Sequence, residues 1–333
     1  VRAVVVRAFG PVDALEVGEL ADPAPAAGEV LVEVRATAVN YVDLLVIGGK
    51  YQFLPQLPFA PGKLPAGVVI ECGAGVTTPR PGDRVLTLAE QGGYAERISV
   101  PAAACIPLPP AMPFVDAAAM SLAYDTAWFA LKDRARVQPG ESVLVLGASG
   151  AVGLAAIQLA KAFGARVLGG ITTPAHAALV RETGADAIID LGVADLRDRL
   201  RDDVRAATAG AGADIVLDML GSPYFEAALR ALAWRGRLVV IGFAAGTIPS
   251  VRANYLLLKN IEVSGLQVSD YRKRMPERMA ACFAEVFALY AAGKVRPPAH
   301  RTYALAEFGR ALADLQNREV RERIVLTPTG TAA

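Results

Sequence analysis

From residue 147 to residue 153 the chain reads Gly147-Ala148-Ser149-Gly150-Ala151-Val152-Gly153. Three glycines at this spacing follow the β-branched run SVLVL and precede an apolar stretch with helical character, so they form a strand, a turn and a helix start. Unpaired amides at a helix N-terminus attract an anion. Gly150 lets the backbone come close to a pyrophosphate, in a turn where a positive φ is expected, and Gly153 lets the helix pack on the sheet. Ser149, Ala151 and Val152 complete the cradle. The spacing is G-x-x-G-x-x-G, which differs from the usual dinucleotide fingerprint, but the physics carries over. Four further β/α units follow and favour a bound dinucleotide over a purely structural turn. A hydrolase elbow needs G-x-S-x-G, and Ala151 follows Gly150 where that motif breaks. A phosphate loop needs G-x-x-x-x-G-K-[ST], which neither Gly62-Lys63 nor Gly293-Lys294 completes.

The type of dinucleotide follows from the end of the second strand. An NAD site wants an acid there to accept from the ribose hydroxyl. Here the chain runs Gly169-Gly170-Ile171-Thr172-Thr173-Pro174-Ala175-His176, and the next acid is Glu182. With no acid to repel it, a 2′-phosphate fits, and Thr172, Thr173, His176 and Arg181 are candidate donors. NADPH is therefore the expected cofactor. His176 also reads equally well as a solvated helix histidine.

These residues need a scaffold, and the composition supplies one. The chain has 333 residues, 53% hydrophobic and 20% charged, which excludes a disordered protein and suggests two domains. Lys plus Arg number 34 against 33 Asp plus Glu, so no excess charge is available to neutralise phosphates, and no nucleic acid is expected as a partner. Cys72, Cys105 and Cys282 are widely separated, which argues against disulfides and a cysteine-rich zinc site. The opening residues lack the apolar run of a signal peptide, so a cytoplasmic location is expected. The uncharged stretch from Ser142 to Ala160 is long enough for a membrane span, but its three glycines belong to a turn; no membrane partner is expected.

Up to about residue 120, short β-branched runs alternate with Pro and Gly and predict an irregular β-barrel. Residues 115–132 read as a helix. From Glu141 strands predicted at 142–147, 165–171, 186–190, 214–220 and 237–242 alternate with helices at about 151–163, 174–183, 195–208 and 223–233. IEVSGLQV, residues 261–268, is a sixth strand. Alternation of this kind means a parallel sheet, an α/β fold. A helix over 276–292, a second one carrying Phe308, Ala311, Leu312 and Leu315, and a closing strand ERIVLTP follow.

Several segments in this order resemble the medium-chain dehydrogenase/reductase superfamily. They include Asn40-Tyr41-Val42-Asp43, Leu57-Pro58-Phe59-Ala60-Pro61-Gly62, Pro81-Gly82-Asp83-Arg84-Val85, Gly92-Gly93-Tyr94-Ala95-Glu96, residues 144–153, Asp218-Met219-Leu220-Gly221 and Leu258-Lys259-Asn260. Within it the chain resembles the zinc-independent, zeta-crystallin-like NADPH:quinone oxidoreductase family over nearly its whole length. The resemblance implies a GroES-like β-barrel catalytic domain over residues 1–123 and 267–333, and a doubly wound Rossmann domain binding NADP over residues 124–266. It implies hydride transfer to a quinone or an activated enone, a homodimer joined through the sheet edge, and no metal. Zinc-dependent relatives carry a cysteine near position 40 and Gly-His-Glu where Gly62-Lys63-Leu64 stands.

Residue roles carry over by position. Asn40 and Tyr51 are the catalytic candidates, each able to donate to the substrate oxygen. Thr126 matches a threonine that holds the nicotinamide carboxamide, Gly242 and Phe243 close the fifth strand against the cofactor, and Arg323 falls near a basic residue close to the ribose phosphate. Asp43 reads more readily as a turn brace, and Tyr94 as a packing residue, than as catalysts. His176 stands where relatives often have Lys, Asp190 where some have a cofactor-contacting Tyr, and Leu64 where an acid is common. Other readings remain: a dinucleotide-loaded structural protein with little turnover, a reductase of enoyl thioesters, or an RNA-binding protein, against which the neutral charge balance weighs.

Overall fold

The computed structural model describes residues 1–317 and 322–330. The chain divides into two compact units: Val1–Leu122 with Arg272–Phe287 and the residues from Pro297 onward, and Ala123–Tyr271 with Ala288–Arg296.

The first unit begins with β1 (Arg2–Val5) and β2 (Glu16–Glu19), an antiparallel pair, followed by β3 (Glu29–Ala38) and the short helix α1 (Tyr41–Ile47). Then come β4 (Ala66–Cys72), β5 (Arg84–Thr87), β6 (Arg97–Pro101) and β7 (Cys105–Pro107). The sequence EVLVEVRATA of β3 is buried along most of its length because β3 has three partners. It pairs with β4, its first half with β6 and its last residues with a C-terminal strand. Register shifts at Leu31/Val32 and Val34/Ala36 bend it so that the two ends serve different neighbours. Val30, Val32, Val69, Val85 and Val100 fill one core, each contributing about 1.5–3 kcal/mol by burial. A second core joins Val39, Ile47, Phe59 and Tyr94 to residues near the C-terminus.

The helix predicted over 115–132 is α2 (Phe114–Trp128), widening into a π-helical turn over Phe129–Arg134. The second unit continues with β8 (Ser142–Leu146), α3 (Ala151–Ala162), β9 (Arg166–Ile171), α4 (Ala177–Glu182), β10 (Ala187–Asp190), α5 (Leu196–Ala207), β11 (Ala213–Asp218), α6 (Tyr224–Ala231), β12 (Leu232–Val240), α7 (Ala253–Lys259) and β13 (Glu262–Gly265). All six strands are parallel, in the order β10-β9-β8-β11-β12-β13. SVLVL of β8 is wholly buried, as a central parallel strand must be. The strand order reverses between β8 and β11. Ligands of such sheets bind beyond the strand ends at that point.

Three elements differ from the pattern reading. The helix expected to reach residue 233 stops at Ala231, because Lys259 Nζ bonds the carbonyls of Arg230 and Leu232 and strand pairing starts at once. The strand expected over 261–268 ends at Gly265, since Gln267 Oε1 accepts from Ser269 N and opens α8 (Val268–Arg274). The helix α7, exposed and short, carried no clear period. The chain closes with α9 (Pro276–Ala291), β14 (His300–Ala304), α10 (Phe308–Asn317) and β15 (Arg323–Thr327). β15 pairs with β3 and returns the C-terminal segment to the first sheet. No helix among the described residues is long and apolar enough to cross a membrane.

Candidate active site

The glycine turn follows β8 directly. Gly147 has φ +81°, so the left-handed position is here and not at Gly150, whose φ is −78°. The amides of Gly147 and Ala148 both donate to Gly170 O, at 3.1 and 3.0 Å, and pin the turn to β9. A Cβ on Gly153 would lie 2.4 Å from Gly147 O and 2.7 Å from Ala148 O, so helix α3 sits against the turn only because that residue is glycine. A Cβ on Gly150 would meet Gly147 O alone, at 3.4 Å, an ordinary contact. Nothing among the described residues therefore requires glycine at 150, and the space beside it is a cradle that a side chain would fill. Around it Ser149, Ala151 and Val152 are half-buried, and the first-turn amides of α3 have no acceptor within the helix.

Other sequence-named residues gather at the same edge of the sheet. A Cβ on Gly147 would touch Leu220, and one on Gly221 would lie 3.2 Å from the Phe243 ring. Gly242 N donates to Asp218 O at 3.3 Å, so Gly242 and Phe243 stand beside the end of β11. Gly170 is buried and supports the turn from behind through its carbonyl. Thr172 and Thr173 are exposed beyond β9, with His176 half-buried at the foot of α4. Asp190 ends β10 opposite Ile171, and its Oδ1 accepts from Gly192 N at 2.8 Å. A cleft of about 640 Å³ opens between loops 191–197 and 222–227. Asp218 was given no site role from the sequence. It is fully buried, its Oδ1 accepts from Leu220 N and Gly221 N, its Oδ2 has no partner among the described residues, and burial raises its pKa. An orphaned carboxylate oxygen at the end of β11 and an open glycine after the neighbouring β8 fit a ligand with donors and an anion, as a dinucleotide is. Thr126 belongs to this unit too, buried in α2 with its hydroxyl 3.2 Å from Asp125 Oδ1.

In the first unit Asn40 precedes α1. Its amide N–H donates to Asp43 Oδ2 at 2.8 Å, its Nδ2 to Ala38 O at 3.0 Å, and its Oδ1 accepts from Arg323 Nη2. Tyr94 donates its hydroxyl to Asp43 Oδ2 at 3.0 Å. Burial pushes the Asp43 carboxyl up to about 6, against the pull of Asn40 N, Tyr94, Lys63 and Arg323. Burial and the adjoining carboxylate push the Tyr94 phenol up as well. Asp43 thus braces the turn at Asn40, and Tyr94 is a core residue with a bonded hydroxyl. Arg323, expected near a ribose phosphate, is 7% exposed, and its guanidinium also donates to Val39 O at 3.0 Å and Ala119 O at 3.4 Å. Standing at the start of β15 beside β3, it holds the Asn40 side chain.

Tyr51 lies in the loop after α1, half-buried, with the Phe53 ring 6.2 Å away edge-on and Lys63 Nζ 5.2 Å from its own ring centre. Lys63 forms an ion pair with Glu90 Oε2, and Arg272 Nη1 holds Glu90 Oε1 at 2.7 Å. Burial works to raise Glu90, but the two cations hold its carboxyl down at about 2. Asn40 and Tyr51 are therefore linked through Lys63, whose field reaches Asp43. Glu90 and Arg272 went unread in the sequence, and Lys63 was noted there only where other motifs fail. The signal available was a lysine directly after the left-handed Gly62 in an otherwise apolar stretch. No group of three or more His, Cys, Asp or Glu side chains among the described residues has the arrangement of a metal site.

Residues 26–110 match the model of the alcohol dehydrogenase GroES-like domain, and residues 151–285 that of the zinc-binding dehydrogenases. A quinone oxidoreductase-like protein 2 homolog of Nematostella vectensis is 38% identical over 84% of this chain and 75% of its own length. A mycobacterial quinone oxidoreductase superposes with a TM-score of 0.90 at 31% identity, covering 98% of this chain and 99% of that one. The Escherichia coli quinone oxidoreductase in complex with NADPH superposes with a TM-score of 0.89 at 29% identity, over 98% of this chain and all (100%) of the other.

Proposed function

The chain belongs to the medium-chain dehydrogenase/reductase superfamily, in its zinc-independent quinone oxidoreductase family, and from that premise we propose that it is an NADPH-dependent reductase acting on a quinone or an activated enone. The observation that carries the reading is the glycine turn at the strand-order reversal, where Gly153 is required by packing and Gly150 is open. The parallel-sheet unit serves as the cofactor domain and the barrel unit as the substrate domain. Gly150 to Gly153 and Ser149 receive the pyrophosphate, Thr172, Thr173 and His176 the 2′-phosphate, and Thr126, Gly242 and Phe243 the nicotinamide end. When bound, the dihydronicotinamide supplies a hydride.

The chain's own task is to orient the acceptor and stabilise the charge that develops on its oxygen. Asn40 has one Nδ2 hydrogen on Ala38 O, its Oδ1 is fixed by Arg323, and its second Nδ2 hydrogen is directed by those two contacts. This preorganised amide and the Tyr51 hydroxyl polarise the acceptor oxygen. Water supplies the final proton. No zinc takes part: Lys63 and Leu64 stand in place of metal ligands. A screen of NADPH oxidation over quinones, enones and enoyl thioesters tests the reading. Oxidation with at least one acceptor is expected; NADPH binding without turnover across the set would favour a structural, cofactor-loaded role.

A further inference from the structure

Lys63 is held in place by an unusual stretch of backbone. Gly62 before it has φ +92° and Leu64 after it φ +50°. A leucine in the left-handed region is strained, and the surroundings must over-determine it. They do: Leu64 is fully buried, its amide donates to Ala89 O at 2.9 Å, and a Cβ on Gly62 would lie 2.3 Å from the Tyr94 ring. The clamp delivers a lysine that is 4% exposed. Its ammonium carries three donors. One meets Glu90 Oε2, and the Tyr51 ring face lies 5.2 Å away. No further acceptor contacts Nζ among the described residues. A buried ammonium left short of an acceptor is costly unless a ligand completes it.

We propose that Lys63 is a catalytic residue whose ammonium donates to the acceptor oxygen as charge develops there. The inference rests on the reductase reading and names the class of acceptor: one whose electron pair collects on a single oxygen beside Tyr51. Hydride addition at the β-carbon of an enone breaks the C=C π bond and moves that pair through the carbonyl onto oxygen. The dihydronicotinamide is oxidised by two electrons, and the acceptor becomes an enolate. Lys63 holds the enolate oxygen and keeps its own proton. Water then protonates the carbon, and the C=O bond re-forms. Glu90, shared between Lys63 and Arg272, fixes the ammonium without neutralising both cations. Exposed Phe53 and Leu54 in the same loop give the apolar body of the acceptor a surface.

The test uses Lys63→Met, which keeps the stem length and leaves Glu90 paired with Arg272, and Lys63→Arg, which restores the charge. Two readouts are taken: kcat/KM for an α,β-unsaturated ketone with NADPH, and affinity for 4-nitrophenolate, a stable oxyanion, without cofactor. Lys63→Met is expected to lower kcat/KM about 10²–10³-fold and to weaken 4-nitrophenolate about tenfold or more, with NADPH affinity unchanged. Lys63→Arg is expected to recover part of the oxyanion affinity. In the unmutated protein 4-nitrophenolate is expected to bind at least about tenfold tighter than neutral 4-nitroanisole, which tests the site even if Lys63→Met does not fold. Equal binding of the two, or a folded Lys63→Met with unchanged kcat/KM and oxyanion affinity, overturns the inference. Lys63-dependent oxyanion binding in a protein that oxidises no NADPH would overturn the reductase reading and leave the oxyanion site standing.

Discussion

Replacing Gly150 and Gly153 separates what the turn does for the fold from what it does for a ligand. Gly150 has φ −78° and ψ 168°, which any residue adopts, and its added Cβ meets one carbonyl at 3.4 Å. Gly150→Val gives up a modest preference for glycine at a helix start and gains from a less flexible unfolded chain. These terms are each about 0.5–1 kcal/mol and opposite in sign. The midpoint of thermal unfolding is expected to move by no more than a few degrees, on the order of 2–4 °C per kcal/mol. The isopropyl group, however, fills the space that the pyrophosphate must enter. Losing two charge-assisted bonds from the α3 amides, each roughly 1.5–3 kcal/mol, removes about 3–6 kcal/mol of binding, or a 10²- to 10⁴-fold rise in the NADPH Kd. Gly153→Ala is the opposite case. Its methyl would sit 2.4 and 2.7 Å from two backbone oxygens, so stability is expected to fall by about 1–3 kcal/mol along with binding. Calorimetric titration with NADPH and thermal melts of both variants check this. Gly150→Val binding NADPH within about threefold of the parent would refute the placement of the pyrophosphate.

Asp43 titrates near 3.8 when unfolded and near 6 when folded, so the native state holds the extra proton between those values. The stability it contributes is fully present below about 3.8 and is lost as pH rises through about 6, roughly 3 kcal/mol in all. Asp43→Asn is expected to flatten that part of the pH profile in urea unfolding; parallel profiles would contradict it. Asp190→Asn removes a carboxylate across from Ile171, one residue before Thr172, and is expected to tighten NADPH a few-fold at low salt without changing NADH, as competitive binding measurements would show. Tyr51→Phe is expected to keep NADPH affinity and lower kcat/KM about 10- to 100-fold; unchanged turnover removes Tyr51 from the mechanism. The edge strand β13 and the exposed Ile248, Leu257 and Leu258 point to a two-fold contact. A dimer is expected by light scattering at micromolar concentration, and a monomer there would count against it.

The parallel sheet was readable because its strands are buried on both sides. SVLVL and DIVLD can satisfy that environment only as central strands, and the helices between them carry a clear period. The short exposed elements were not readable. Neither α7 nor α8 buries enough apolar surface to impose a period, and β12 begins early because of a lysine 27 residues further on. Glycines behaved likewise. The motif marked all three in the turn, but the folded backbone alone makes Gly147 left-handed, Gly153 packed and Gly150 open.

The substrate side was less legible because its residues act through neighbours far off in sequence. Asn40 is aimed by Arg323, which is 283 positions away, and Glu90 is held by Arg272, 182 positions away. A residue-by-residue transfer assigns Arg323 to a phosphate, since a basic side chain near the chain's end carries no mark of its partner. A guanidinium this enclosed must satisfy its donors locally, and three acceptors within the first unit do so. The same reasoning runs the other way for Lys63. Its local contacts leave an ammonium donor without an acceptor, and among the described residues that places the demand for an anion beside Tyr51.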